Sequence, residues 1–312
     1  MYSTELGTLY DFDSAMMLAK PWGTALEGKV NLIFTSPPFP LNRRKSYGNK
    51  IGREYVDWLS SFAPLFRRLL SDDGSLVVEL GNAWQPGEPV MSTLSIEALL
   101  ELKKKGEFHL CQEFIWNNPA RLPSPAQWVN VERIRVKDSF TRLWWLSKTT
   151  RPKANNRRIL RRYSKDMQKL LRTKKYNPGK RPSEHAIGAT SFFRDNTGSI
   201  PSNVISISNT RSLDDYLKYC KENDILKHPA RMPIELASFF ISFLTEPGDL
   251  VLDPFAGSNV TGYTAEMLGR RWVSIEINET FAKSSMSRFT GLPAGHNIAF
   301  LAKRLRGDAF DH

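Results

Sequence analysis

The sequence predicts an α/β fold, a doubly wound and mostly parallel sheet with helices on both faces, interrupted by an irregular basic insert. Three observations lead there. Short apolar runs alternate with helical periodicity at both ends of the chain, the pattern that packs as a parallel sheet. Between about residues 148 and 227 the texture changes to a polar, basic stretch broken by Pro178, Gly179, Pro182, Gly188, Gly198 and Pro201. Across 312 residues, 41% are hydrophobic and 24% charged, which supplies a sizeable core and argues against wholesale disorder.

The elements follow in order. Val30-Asn31-Leu32-Ile33-Phe34 reads as a strand, stopped by Thr35-Ser36-Pro37-Pro38, where two prolines forbid continuing a helix or a central strand. Val56, Leu59, Phe62, Ala63, Phe66, Leu69 and Leu70 recur at spacings of three and four, which predicts one amphipathic helix from Tyr55 to Leu70. Asp72-Asp73-Gly74 then reads as a turn before a strand over Ser75 to Leu80. A helix over Leu94 to Lys104 and strands over Phe108 to Trp116 and Thr141 to Leu146 complete the first half. A basic helix, Asn156 to Thr173, opens the insert. The alternation returns with a helix over Pro233 to Leu244, a strand at Leu250-Val251-Leu252, a helix over Val260 to Leu268 and a strand at Trp272 to Ile275. Residues 1–149 and 228–312 are thus two halves of one domain, with 150–227 inserted between them.

Charge is concentrated. The 44 Lys and Arg against 32 Asp and Glu give +12, yet Arg151 to Arg181 alone holds 13 basic residues and one acid, Asp166. A neutral body with one basic segment predicts a polyanion met at that segment; the alternative is a solvated basic loop. Two cysteines, Cys111 and Cys220, exclude a disulfide framework, and the scattered histidines point to no metal site. With no run of ~18 apolar residues and no leader-like start, no membrane partner and a reducing cytoplasm are the expectation.

Two loops carry chemistry. In Asp253-Pro254-Phe255-Ala256-Gly257-Ser258-Asn259-Val260-Thr261 a strand ends, a small-residue loop turns and a helix begins. Gly257 admits a ligand close to backbone, and the helix start offers unpaired N–H groups. Glu276 ends the next strand about 20 residues on, where a carboxylate accepts both ribose hydroxyls of a nucleoside. GxGxxG is absent, against a dinucleotide site. In the other loop, Ser36-Pro37-Pro38-Phe39-Pro40, three prolines stiffen a strand end that carries a hydroxyl and an aromatic face. Such a loop suits a planar amine: Ser36 and the Pro37 carbonyl accept its two hydrogens, Pro38 fixes the turn and Phe39 stacks on the ring.

Together these residues resemble the amino-group DNA methyltransferases that use S-adenosylmethionine. There the first loop reads (D/N/S)-P-P-(Y/F/W) and the second is similar to D-P-F-x-G-x-G-T. This chain departs at Asn259, where the family often has Gly, and its Thr261 is displaced by one position. His228-Pro229-Ala230-Arg231-Met232-Pro233 resembles the element that precedes the family's cofactor loop, and Leu9-Tyr10-Asp11-Phe12-Asp13 its acidic segment near the adenine, with Asp13 the better candidate. The order of amine loop, basic segment and cofactor loop is that of the circularly permuted β group, whose target-recognition region lies where this insert does.

The resemblance implies a Rossmann-like methyltransferase fold. It implies S-adenosylmethionine held by Asp13, Asp253, Phe255, Gly257, Ser258, Asn259, Thr261 and Glu276, with Ser36, Pro37, Pro38 and Phe39 as the catalytic loop. The expected partner is double-stranded DNA, with the target base flipped out and phosphates met by Arg157, Arg158, Arg161, Arg162, Lys174, Lys175 and Arg181. Arg194, Asp195, Asn196 and Asn203 are candidates for reading bases, and His228 has a structural role. Serine in the amine loop is similar to enzymes acting on cytosine N4, mostly in restriction–modification systems. A monomer or homodimer in a bacterial or archaeal cytoplasm, near the nucleoid and without a stable complex with a cognate endonuclease, follows. Adenine N6 as target and a non-enzymatic DNA-binding relic are the alternatives.

Overall fold

The computed structural model describes residues 1–40, 50–176, 179–180, 182–184, 186–188, 190–209, 215–229 and 231–290. The strands are β1 (Tyr2–Ser3), β2 (Gly7–Asp11), β3 (Val30–Thr35), β4 (Leu70–Leu80), β5 (His109–Asn117), β6 (Phe140–Ser147), β7 (Gly179–Lys180), β8 (Ala186–Ile187), β9 (Val204–Ser206), β10 (Leu250–Asp253) and β11 (Arg271–Glu276). The helices are α1 (Ser14–Ala19), α2 (Pro21–Thr24), α3 (Gly52–Ser61), α4 (Ala63–Leu69), α5 (Leu94–Lys105), α6 (Lys165–Thr173), α7 (Asp215–Glu222), α8 (Ile234–Leu244), α9 (Val260–Met267) and α10 (Glu279–Ser285).

Among the described residues nine strands form one sheet, in the order β1-β2-β11-β10-β3-β4-β6-β5-β9. From β2 to β4 every neighbouring pair is parallel. Beyond β4, β6 runs antiparallel between β4 and β5, and β9 returns parallel to β5. The predicted doubly wound, mostly parallel sheet is what forms. Alternate strand residues feed two cores. Leu32, Phe34, Val77 and Val251 pack under α8 and α9, while Ile33, Leu76, Val78 and Leu252 face the other way onto α3, α4 and α5. From β3 the chain winds toward β4, and from β10 toward β11, so the order reverses between β3 and β10. A crevice opens at such a reversal, outside the carboxyl ends of the two strands.

Several elements differ from the expectation. The helix predicted over Tyr55 to Leu70 is two, broken at Phe62, because Pro64 stands in the first turn of α4. Asp72-Asp73-Gly74 is no turn: it lies within β4, which starts at Leu70 opposite Val30, and the extra residues are absorbed as a register shift between Val30 and Leu32. The basic helix over Asn156 to Thr173 is a single 3-10 turn at Asn156–Ile159, capped by Asn155, then α6, capped by Ser164. The insert does not stay outside the sheet. Its β9 extends the far edge, and the Trp116 indole N–H donates to the Ile207 carbonyl at 2.9 Å to hold it there.

Candidate active site

Both motif loops leave the sheet at the reversal point, Ser36-Pro37-Pro38-Phe39 from β3 and Asp253 to Thr261 from β10. They are tied to each other. The Thr35 hydroxyl donates to Asp253 Oδ1 at 2.7 Å, joining residues 218 positions apart, and both side chains are buried. Thr261 also hydrogen-bonds the Asp253 carboxylate, and the Phe255 N–H donates to it at 3.1 Å. Burial still holds the Asp253 carboxyl above its ordinary range, against those three bonds.

On the amine-loop side the structure adds a residue that the motif does not contain. The Ser36 hydroxyl hydrogen-bonds the carboxylate of Glu79, which lies on β4 one strand over and is 3% exposed. Thr141 Oγ1, on β6, donates to Glu79 Oε1 at 3.0 Å. Burial pushes the Glu79 carboxyl up to about 7, with the bonds from Thr141 and Ser36 and the nearby Arg121 charge pulling the other way. One signal in the sequence marks it: an acid inside the apolar strand Leu76-Val77-Val78-Glu79-Leu80. Pro37 is buried and Pro38 exposed. The Phe39 ring lies on the backbone of Gly81, where an added Cβ would stand 2.4 Å from Phe39 Cδ2.

The cofactor loop is braced from behind. Asn259 sits in the left-handed region at φ +53, which Gly or Asn enters most readily, so the departure from the family's Gly is accommodated. Its side chain accepts from Gly262 N and Ser274 Oγ and donates to the Tyr2 hydroxyl, and the residue is fully buried. Ser258 is held by Arg288, whose Nε donates to the Ser258 carbonyl at 2.6 Å and whose Nη2 donates to its hydroxyl at 3.1 Å. Arg288 lies over the Tyr216 ring, and the Tyr216 hydroxyl accepts from His228 N. Phe255 packs against Trp58 and Phe62. Thus Ser258, Asn259 and Thr261, expected as cofactor contacts, have side chains that shape the loop from inside; the bracing by Tyr216 and Arg288 had no motif to announce it. Gly257, at φ +52, has the His228 ring where a Cβ would go, with Nε2 at 2.9 Å.

Three acids meet beside this loop. Asp253, Glu276 and Asp11 end the strands β10, β11 and β2. Glu276 Oε2 accepts from Gly257 N at 2.7 Å and Oε1 from Asn278 N at 2.8 Å. Its carboxyl is raised, first by burial and then by the charges of Asp253 and Asp11, with the two backbone bonds opposing. A carboxylate has about four lone-pair sites, so two remain for hydroxyls. Asp13, expected near the adenine, caps α1 by accepting from Met16 N at 2.8 Å, and Asp11 of the same segment is the acid beside Glu276. The three neighbouring carboxylates fit a nucleoside that carries positive charge and vicinal hydroxyls, as S-adenosylmethionine does, while the space beside Gly257, expected to admit a ligand, is taken by the His228 ring. Among the described residues no group of three or more His, Cys, Asp or Glu could hold a metal ion.

The basic insert divides. Arg158 donates to the Thr245 carbonyl and pairs with Glu246, and Arg161 is half-buried, its backbone bridged to Ser199. Arg157, Arg162, Lys174 and Lys175 are exposed, although the Lys174 ammonium also donates to the Phe193 carbonyl. Asn203 donates to the Glu113 carbonyl, which fixes it at the sheet edge. Arg181 lies outside the described residues.

A family model described as DNA methylase matches residues 30–287. The chain is 44% identical over 290 residues, 92% of its length and 85% of the relative's, to the type II methyltransferase M.PvuII of Proteus hauseri. The solved structure titled PvuII DNA methyltransferase (cytosine-N4-specific) superposes with a TM-score of 0.75 at 36% identity, covering 98% of this chain and 96% of that one. The M1.HpyAVI–SAM complex, 21% identical over 91% of this chain and all of that one, shares the fold at a TM-score of 0.53.

Proposed function

The chain belongs to the DNA methylase family, and on that premise we propose that it methylates the exocyclic N4 amine of cytosine at a specific site in duplex DNA, using S-adenosylmethionine. One observation carries the reading. The Thr35–Asp253 bond brings a loop suited to a planar amine and a loop suited to a charged nucleoside to the same crevice. The likeness to M.PvuII, whose solved structure is titled cytosine-N4-specific, supports cytosine over adenine.

A base amine is a weak nucleophile because its lone pair is delocalised into the ring. Its N–H groups donate to Ser36 Oγ and to the Pro37 carbonyl, which favours a tetrahedral nitrogen with a localised pair. With its hydroxyl hydrogen-bonded to Glu79, Ser36 Oγ keeps a lone pair for the amine. S-adenosylmethionine, when bound, supplies an electrophilic methyl group, so the base needs no covalent adduct with the protein. Most of the rate gain is orientation and electrostatics. Methylation leaves the nitrogen with one proton too many; it passes to Ser36 Oγ as the Ser36 hydroxyl proton moves on to Glu79, whose carboxyl burial pushes up to about 7. Phe39, seated on Gly81, stacks on the flipped base and offsets part of the few kcal/mol that eversion costs. Asp253 and Glu276 hold the nucleoside, and Arg157, Arg162, Lys174 and Lys175 meet phosphates.

The test is to express the chain in a host lacking DNA methylation, digest its DNA and identify the modified nucleoside. N4-methylcytosine supports the proposal; N6-methyladenine alone overturns it. Ser36→Ala should lower turnover far more than S-adenosylmethionine affinity, and equal loss of both would reduce the loop to a structural role.

A further inference from the structure

Residues 118–139 leave the sheet at the end of β5 and return at the start of β6. Because β6 runs antiparallel to both β4 and β5, this excursion hangs from the same sheet edge as Ser36 and Asp253. Its return point is at the site itself: Thr141 bonds Glu79, and Arg121 lies close enough to depress that carboxyl. The excursion exposes large apolar side chains, with Leu122 at 81%, Val131 at 68%, Ile134 at 49% and Val136 at 87%. Val90 and Met91, in the β4–α5 connection, are exposed too, and Arg135 Nε donates to the neighbouring Pro89 carbonyl at 3.0 Å. Exposed apolar surface of this kind marks a contact surface.

Two features identify the occupant. The first is charge: residues 118–139 carry four basic side chains, Arg121, Arg133, Arg135 and Lys137, against Glu132 and Asp138; Asp138 accepts from Asn82, and Lys137 donates to the Pro119 carbonyl at 3.3 Å while staying exposed. In Val131-Glu132-Arg133-Ile134-Arg135-Val136-Lys137 three apolar residues are interspersed with four charged ones. The second is stiffness. The Trp128 carbonyl accepts from both Ile134 N and Arg135 N, Asp138 N donates to the Ser124 carbonyl, and Arg121 donates to the Phe140 carbonyl. A rigid, cationic loop with bare aliphatic side chains matches the wedges that nucleic-acid-binding proteins press between base pairs, where basic neighbours hold the phosphates.

We propose that the β5–β6 excursion is a DNA wedge: Val131, Ile134 and Val136 cover the base-pair face left open when the target base is everted, and Arg133 and Lys137 reach the flanking phosphates. The inference rests on the methylation reading above and assigns base displacement to a segment separate from the basic insert.

The test compares the full-length wild type with the variant Val131→Ser, Ile134→Ser, Val136→Ser, on duplexes carrying the target site mapped in expressing cells. One duplex is fully paired and the other has the target cytosine mismatched, which lowers the work of eversion. The variant should bind S-adenosylmethionine as the wild type does. It should methylate the paired duplex about 10- to 100-fold more slowly and come within about 3-fold of wild type on the mismatched one. An unchanged rate on the paired duplex, or an equal loss on both, overturns the wedge alone. A wild type that methylates neither duplex overturns the methylation reading and the wedge with it.

Discussion

Replacing Glu79 with Gln should raise stability and lower activity, with both effects growing as the pH rises. The Glu79 carboxyl is 3% exposed and is pushed from its ordinary 4.5 to about 7. In the unfolded chain it ionises near 4.5; in the folded protein it stays protonated until about 7. Its contribution to stability is therefore complete below pH 4.5 and is lost as the pH climbs through 7. At about 1.4 kcal/mol per pH unit, the total cost above pH 7 is about 3 kcal/mol, of which about 2 kcal/mol develops between pH 5.5 and 8. A glutamine keeps the bond from Thr141 and does not titrate. Urea unfolding at the two pH values should therefore show Glu79→Gln gaining about 2 kcal/mol on the wild type between them. The amide cannot take a proton, and losing a charged acceptor behind Ser36 should slow methyl transfer at pH 8 about 10- to 100-fold. Parallel stability curves would mean that Glu79 ionises normally. Full activity at pH 8 would mean that Ser36 needs no carboxylate.

Other consequences are as direct. Gly81→Ala puts a methyl group 2.4 Å from the Phe39 ring, so the ring must move; turnover should fall about 10-fold or more, while a thermal melt shifts by only a few degrees. At Asn259, Gly should be tolerated better than Ala: both lose the cap on α9, about 1 kcal/mol, but Ala adds about 1–2 kcal/mol for the left-handed backbone, an order that denaturant melts would resolve. Arg157→Ala should lower the salt dependence of DNA binding by about one phosphate contact, whereas Arg158→Ala, which breaks the tie to Glu246 and Thr245, should lower the melting temperature; the reverse pattern in binding and melting would reassign both residues.

What could be read in advance was local. Asp253, Gly257 and Ser36 stand at strand ends within short loops whose composition is itself the signal, so their meeting at one crevice follows once the strand order is right. The strand order needed the winding rule, and the permuted halves obeyed it. Glu79 escaped because nothing beside it in sequence points to Ser36; their contact exists only through the pairing of β3 with β4. Asp11 and Asp13 are two residues apart, and only the end of β2 decides that one faces Glu276 while the other caps a helix. Arg158 and Arg157 look alike in a basic run, yet the 3-10 turn aims one at the end of α8 and the other at solvent. The break at Phe62 was written in Pro64, and unbroken apolar periodicity hid it.

The middle of the sheet has a consequence for biosynthesis. During translation β3, β4, β5 and β6 emerge well before β10 and β11, so β3 waits with a naked hydrogen-bonding edge until the two strands that separate it from β2 arrive. Pairing across so long a loop is slow, and the nascent polypeptide is open to mispairing in the interval. Catalytic competence therefore comes late and all at once: a ribosome-bound intermediate in which β3 has paired with β4 holds Ser36 and Glu79 side by side, yet it has no Asp253 for Thr35 to clasp and can modify no chromosome.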